Sequence, residues 1–209
     1  MKKIFLGVYN PSIILTYISV FCSLYGIGNL MLQYTSDPFK SLKLSMILLI
    51  IAGVCDMFDG KVARLCKRTN REKEFGIQLD SLADTVSFVV FPAVILMCST
   101  QMHIVSIILS MFYVFAGIMR LGWFNVTTEE NKGFFYGLPV TFSALILPIT
   151  FLILTLFNIP FQNTIFHSIF ALTGIAFILN FKIKKPGLIF SIIMLFMAIA
   201  ATIGLVLMK

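Results

Sequence analysis

A chain of 209 residues with 59 % hydrophobic side chains, 12 % charged ones and a mean hydropathy of +0.98 is no water-soluble domain; it has the composition of an integral membrane protein. The formal net charge of +7 could suit nucleic acid, but the basic residues fall between apolar runs rather than along one face, so topology accounts for them and a nucleic-acid partner is excluded. Cys22, Cys55, Cys66 and Cys98 show no CxxC spacing and read as reduced packing residues.

The start, MKKIFLGVYNPS, is basic, yet no small-residue cleavage site follows its apolar run, so that run is expected to stay as a first helix. Seven apolar runs then follow: 12–34, 42–65, 75–98, 103–124, 138–157, 164–181 and 187–208. Each is long enough for a helical membrane crossing, and none alternates with period two, which disfavours a β-barrel. The linkers are short: TSDPFK, CKRTNREKE, the residues around 99–102, NVTTEENKGFFYG, NIPFQ and KIKKP. The expected fold is an all-α, polytopic membrane helix bundle forming a single domain over 1–209. His103 and His167 stand alone near segment starts and read as interfacial residues. No internal repeat is visible, against an inverted-repeat transporter.

Lysine and arginine placement sets the orientation. Lys2 and Lys3, the cluster Lys61, Arg64, Lys67, Arg68, Arg71 and Lys73, then Lys132, Lys182, Lys184 and Lys185, all fall on one side if seven helices alternate. Only Lys40, Lys43 and Lys209 fall on the other. The basic side is expected to be cytoplasmic.

The stretch 55–87 carries the chemistry. Asp56 and Asp59 close the second run, while Asp80 and Asp84 open the third. Spacings of three and four put each pair on one helix face, and antiparallel neighbours bring the pairs to similar depth. Left unpaired, four carboxylates in membrane helices would cost on the order of 10 kcal/mol. Ordinary salt bridges to Lys61, Arg64 and the loop cations are one compensation; a hard divalent cation, Mg²⁺, Mn²⁺ or Ca²⁺, is the other. Gly60, Ala63 and Gly76 allow close helix approach or leave room for a flat ligand at the backbone. Arg64 and the basic loop add positive potential for a phosphate-bearing substrate. A divalent-cation transporter is the rival reading. The acidic residues lie at one side, apart from Asp37 in an outer loop and Glu129 and Glu130 in an inner one, and so trace no through-path.

Asp56-x-x-Asp59-Gly60-x-x-Ala63-Arg64 followed by Gly76-x-x-x-Asp80-x-x-x-Asp84 resembles the signature of the CDP-alcohol phosphatidyltransferases, with eleven residues between Arg64 and Gly76. The resemblance implies a six-helix catalytic core with one or two further C-terminal helices. It implies transfer of a phosphatidyl group from CDP-diacylglycerol to an alcohol, with release of CMP. Asp56, Asp59 and Asp80 would hold two divalent ions (Mg²⁺ or Mn²⁺), and Asp84 would share the metal site and act as general base. Asp56, Gly60, Ala63, Arg64 and Gly76 would serve the nucleotide donor. A homodimer facing membrane lipids, with its site open to the cytoplasm, is also implied.

LDSLAD with VSF, Arg120-Leu121 with Phe124-Asn125, and Gly137-Leu138-Pro139 are similar to the phosphatidylserine synthase branch. L-serine is therefore the expected acceptor, with glycerol 3-phosphate or inositol phosphate as alternatives. Arg120 is expected to meet the acceptor's carboxylate or phosphate, and Asn125, Tyr136 and the GLP element to shape the pocket. Val89 and Phe91 stand where that branch has small residues, and Trp123 where it has arginine. All three are expected beside the acceptor pocket.

Overall fold

The computed structural model describes residues 7, 10–127, 134–184 and 187–208. Lys2, Lys3, Glu129, Glu130, Lys132, Lys185 and Lys209 lie outside the described residues. The helices are α1 (Ile14–Gln33), α2 (Pro38–Leu65), α3 (Asn70–Asp84), α4 (Phe91–Ser99), α5 (Ile104–Thr127), α6 (Ser143–Leu156), α7 (Gln162–Ile178) and α8 (Leu188–Leu207). A π-helical turn, Thr85–Val90, joins α3 to α4, so the two form one rod over 70–99. Among the described residues, five elements are long and apolar enough to cross a membrane: α1, α2, the α3–α4 rod, α5 and α8. The helices α6 and α7 are apolar but shorter. An all-α membrane bundle therefore stands, and each of the seven apolar runs is a helix.

Local chemistry explains the ends. Asp37 caps α2 by accepting the Lys40 N–H at 3.0 Å, with Pro38 at the first helical position. Thr69 and Glu72 form a capping box: the Glu72 carboxylate accepts the Thr69 N–H at 2.7 Å, and the Thr69 hydroxyl accepts the Glu72 N–H. The third helix thus starts at Asn70, five residues earlier than apolarity alone indicates, inside a stretch expected to be linker. Two other linkers also hold structure. Strand β1 (Phe134–Tyr136) pairs antiparallel with β2 (Lys182–Lys184), Phe135 opposite Ile183. This ribbon places the α5–α6 and α7–α8 connections at the same end of the bundle.

In the core, α2 packs against α1, α6 and α8, and α5 runs along α7. Phe88, Phe91, Tyr113, Leu147 and Phe170 are fully buried. His167 does not stand alone: its Nε2 is 2.7 Å from Ser106 Oγ, and Ser106 also meets the Thr100 hydroxyl, so α4, α5 and α7 are stapled together at one end. All four cysteines are free. The α2–α6 contact is backbone-close, since a Cβ on Gly53 would lie 2.5 Å from the Ala144 Cβ. Gly53→Ala is expected to lower stability by about 1–3 kcal/mol through overpacking, and Ala144→Gly to restore part of it, as read by thermal unfolding in detergent.

Candidate active site

Four carboxylates, two from α2 and two from α3, converge on one cavity. Oxygens of Asp56, Asp80 and Asp84 all lie within 4.8 Å of one another. Asp56 is within hydrogen-bonding reach of Asp84, and Asp59 of Asp80. Asp59 is buried, 8 % exposed, and accepts a hydrogen bond from the Thr16 hydroxyl of α1 at 3.3 Å. Two oxygens bound to one ion at about 2.0–2.6 Å can be no more than about 4–5 Å apart, so this donor set fits a hard divalent cation.

All four aspartates line a cavity of about 390 Å³. Its charged wall also includes Lys61, Arg64 and Arg120. Lys61 Nζ sits 5.0 Å from the Phe58 ring centre, and Arg64 Nε donates to the Gly60 carbonyl at 3.1 Å. A Cβ on Gly60 would meet nothing within 4 Å, so this glycine opens space rather than bringing helices together. Arg120, 8 % exposed, rises from α5 with its guanidinium 5.0 Å from the Phe124 ring centre. Its Nε has no hydrogen-bond partner among the described residues. A buried cation on a cavity wall with an unpartnered Nε has the chemistry to meet an anion.

Several sequence-predicted residues stand elsewhere. Ala63, Gly76 and Asn125 are not on the cavity wall. Gly76 lies under the basic loop, with Arg68 Nη1 3.5 Å from where its Cβ would be. The Asn125 carbonyl accepts a hydrogen bond from Ser81 at 2.9 Å, tying α5 to the segment between Asp80 and Asp84. Tyr136 belongs to the ribbon, with Lys182 Nζ 5.7 Å from its ring centre; of the GLP element only Pro139 lines the cavity. The expectation for Val89, Phe91 and Trp123 needs correction. Val89 is buried against Gly117 of α5, Phe91 against Gly26 of α1, and Trp123 is mostly exposed on the bundle's outside. None of the three borders the cavity.

Sequence reasoning missed two contributors. Thr16 belongs to a stripe of buried polar residues on an apolar helix, Thr16, Ser19 and Ser23, whose three- and four-residue spacing was the available signal. The last helix closes one side of the cavity with Phe190, Ser191, Met194, Leu195 and Ala198. Apart from Ser191, nothing local in that apolar sequence marks those positions.

The family model for CDP-alcohol phosphatidyltransferase matches residues 9–208. The CDP-diacylglycerol–serine O-phosphatidyltransferase of Saccharomyces cerevisiae is 37 % identical over 160 residues, covering 66 % of this chain and 57 % of the yeast protein. The Helicobacter pylori enzyme of the same name is 28 % identical over 163 residues, 73 % of this chain and 68 % of that one. The archaetidylserine synthase of Methanothermobacter thermautotrophicus is 37 % identical over 105 residues, 50 % of this chain and 44 % of that one. Replacing Thr16 by valine is expected to cost about 1–3 kcal/mol, because the buried Asp59 loses a donor, whereas Thr16→Ser restores most of it; chemical unfolding in micelles measures both.

Proposed function

This chain belongs to the CDP-alcohol phosphatidyltransferase family, and on that premise we propose that it transfers a phosphatidyl group from CDP-diacylglycerol to the hydroxyl of L-serine, giving phosphatidylserine and CMP. The observation that carries the proposal is the convergence of three carboxylates within 4.8 Å on the wall of a cavity that also holds Arg120. The serine synthases among the relatives support the choice of acceptor. Arg120 supports it chemically, since its free Nε suits a carboxylate. Transfer to glycerol 3-phosphate or inositol phosphate is the second reading, because the same arginine suits a phosphate.

Asp56, Asp59, Asp80 and Asp84 are the proposed ligands of two divalent ions, Mg²⁺ or Mn²⁺ by their hard oxygen donors, with Ca²⁺ a further candidate. Bound there, such ions supply charge neutralisation on the pyrophosphate and stabilise departing CMP. Asp84 takes the proton from the serine hydroxyl. The freed oxygen attacks the phosphatidyl phosphorus, and the phosphorus–oxygen bond to CMP breaks with its electron pair going to CMP. Gly60 leaves backbone space for the cytidine, flanked by Lys61 and Arg64. Ala63 follows Gly60 on α2 outside the cavity, and Gly76 stands by Arg68 of the basic loop. Arg120, backed by Phe124, orients the acceptor, while Asn125 acts indirectly through Ser81.

We further assign residues 1–209 to one catalytic domain, the site to the cytoplasmic side and the assembly to a homodimer. Lys61 and Arg64 share the end of α2 with Asp56 and Asp59, and Lys67, Arg68, Arg71 and Lys73 lie in the connection to α3 and its first turn, which supports that orientation. A lipid donor also suits the location, with tails in the bilayer and the cytidine in water.

Purified protein given CDP-diacylglycerol, metal and a panel of alcohols should form phosphatidylserine with serine and little product with glycerol 3-phosphate; the reverse preference would overturn the acceptor. Asp84→Asn should abolish turnover while CDP-diacylglycerol binding largely survives, and full activity in that variant removes Asp84 as the base. Mn²⁺ should raise the unfolding temperature of the wild type, because four crowded carboxylates bind it only when folded. Asp80→Asn should erase that rise, which a thermal shift series with and without chelator reads directly.

A further inference from the structure

The rod that carries Asp80 and Asp84 owes its shape to one residue. Pro92 has no N–H to donate to the carbonyl of Phe88, four residues back, and its ring crowds that carbonyl. The chain answers by widening: the Phe91 N–H reaches back five residues to the Val86 carbonyl, and 85–90 forms a π turn directly after Asp84. This leaves the Phe88 carbonyl without its regular donor in the interior of a membrane protein, where such a group must be satisfied by side chains. Two helices supply them. Tyr113 of α5 donates its hydroxyl to the Phe88 carbonyl at 3.1 Å, and Ser143 of α6 donates at 3.2 Å. Phe88, Tyr113 and Ser143 are all fully buried. The Tyr113 ring is itself held against Phe170 and Phe177 of α7, with centres 5.1 and 5.2 Å apart. The same turn is fastened to α1 through Ser19, which donates to Ser87 at 3.1 Å. Ser19 lies one turn from Thr16, the partner of Asp59.

One extra residue in a helical turn rotates everything on one side of it by about 100° relative to the other. The direction in which Asp80 and Asp84 face therefore depends on this turn staying wide. We propose that Tyr113 and Ser143 are positioning residues: by taking over the Phe88 carbonyl that Pro92 releases, they hold the π turn open and aim Asp80 and Asp84 at Asp56 and Asp59. The inference rests on the reading that these four carboxylates form the working site. It adds residues that touch neither substrate nor metal, none of which lines the cavity.

The test uses the full chain in lipid nanodiscs and three readouts: unfolding temperature, Mn²⁺ affinity by electron paramagnetic resonance, and phosphatidyl transfer. Pro92→Ala returns an N–H to the Phe88 carbonyl and lets the turn close. It should unfold at or above the wild-type temperature, yet bind Mn²⁺ and turn over about tenfold or more less well. Tyr113→Phe combined with Ser143→Ala should lower kcat about tenfold with KM for CDP-diacylglycerol changed less than about twofold. Adding Pro92→Ala to that pair should restore thermal stability without restoring kcat. A purely structural role for Tyr113 and Ser143 makes activity follow unfolding temperature across the series, and that result overturns the proposal. So does either Pro92→Ala or the double variant with wild-type Mn²⁺ affinity and turnover. If the wild type forms no lipid product, the proposed activity falls while the Mn²⁺ comparison still decides this inference; a wild type that also binds no Mn²⁺ overturns both.

Discussion

Negative charge concentrated where two membrane helices meet is the constraint to which the rest of this structure answers. Asp56, Asp59, Asp80 and Asp84 repel one another in a setting that screens charge poorly, and no helix pair holds such a group by apolar packing alone. The compensation is local and layered. A threonine from α1 donates to Asp59, Arg120 enters from α5, and Lys61 and Arg64 stand on the cavity wall. A divalent cation completes that account chemically, because carboxylate oxygens this close are at the separation of ligands around one ion.

The apolar architecture serves the same end. Gly53 against Ala144 lets α2 approach α6, which brings Thr141, Phe142, Ala144 and Leu145 onto the wall shared with the aspartates. The last helix seals the remaining side with Phe190, Met194 and Leu195, so the cavity is polar at the aspartate end and apolar toward α8. That polarity gradient matches a substrate with a charged head and hydrocarbon tails. The proposed chemistry thus follows from where the helices can touch as much as from which residues they carry.

Much of this was legible in the sequence because the signals were local. Apolar runs gave seven helices, of which five, not all seven, are long enough to cross a membrane, and carboxylates three and four apart gave two acidic faces that converge. What failed was what only the folded neighbours decide. Val89 and Phe91 lie next to the aspartates in the chain yet fill gaps over Gly117 and Gly26, because the rod turns those side chains toward α5 and α1. Asn125 holds Ser81 rather than facing the cavity. The early start of α3 has a local signal of another kind, since Thr69-x-x-Glu72 is a capping box that lies outside the apolar run. Pairing of FFY with KIK, two short linker pieces far apart in sequence, had no local signal at all.

The central claim is that carboxylates of α2 and α3 jointly hold divalent cations. Anomalous scattering from crystals of the protein grown with Mn²⁺ tests it most directly. The account predicts a peak between the two helices within about 2.0–2.6 Å of oxygens from Asp56, Asp80 and Asp84. Crystals with Mn²⁺ in the solvent but no peak there, and the aspartates turned to separate surroundings, would contradict it.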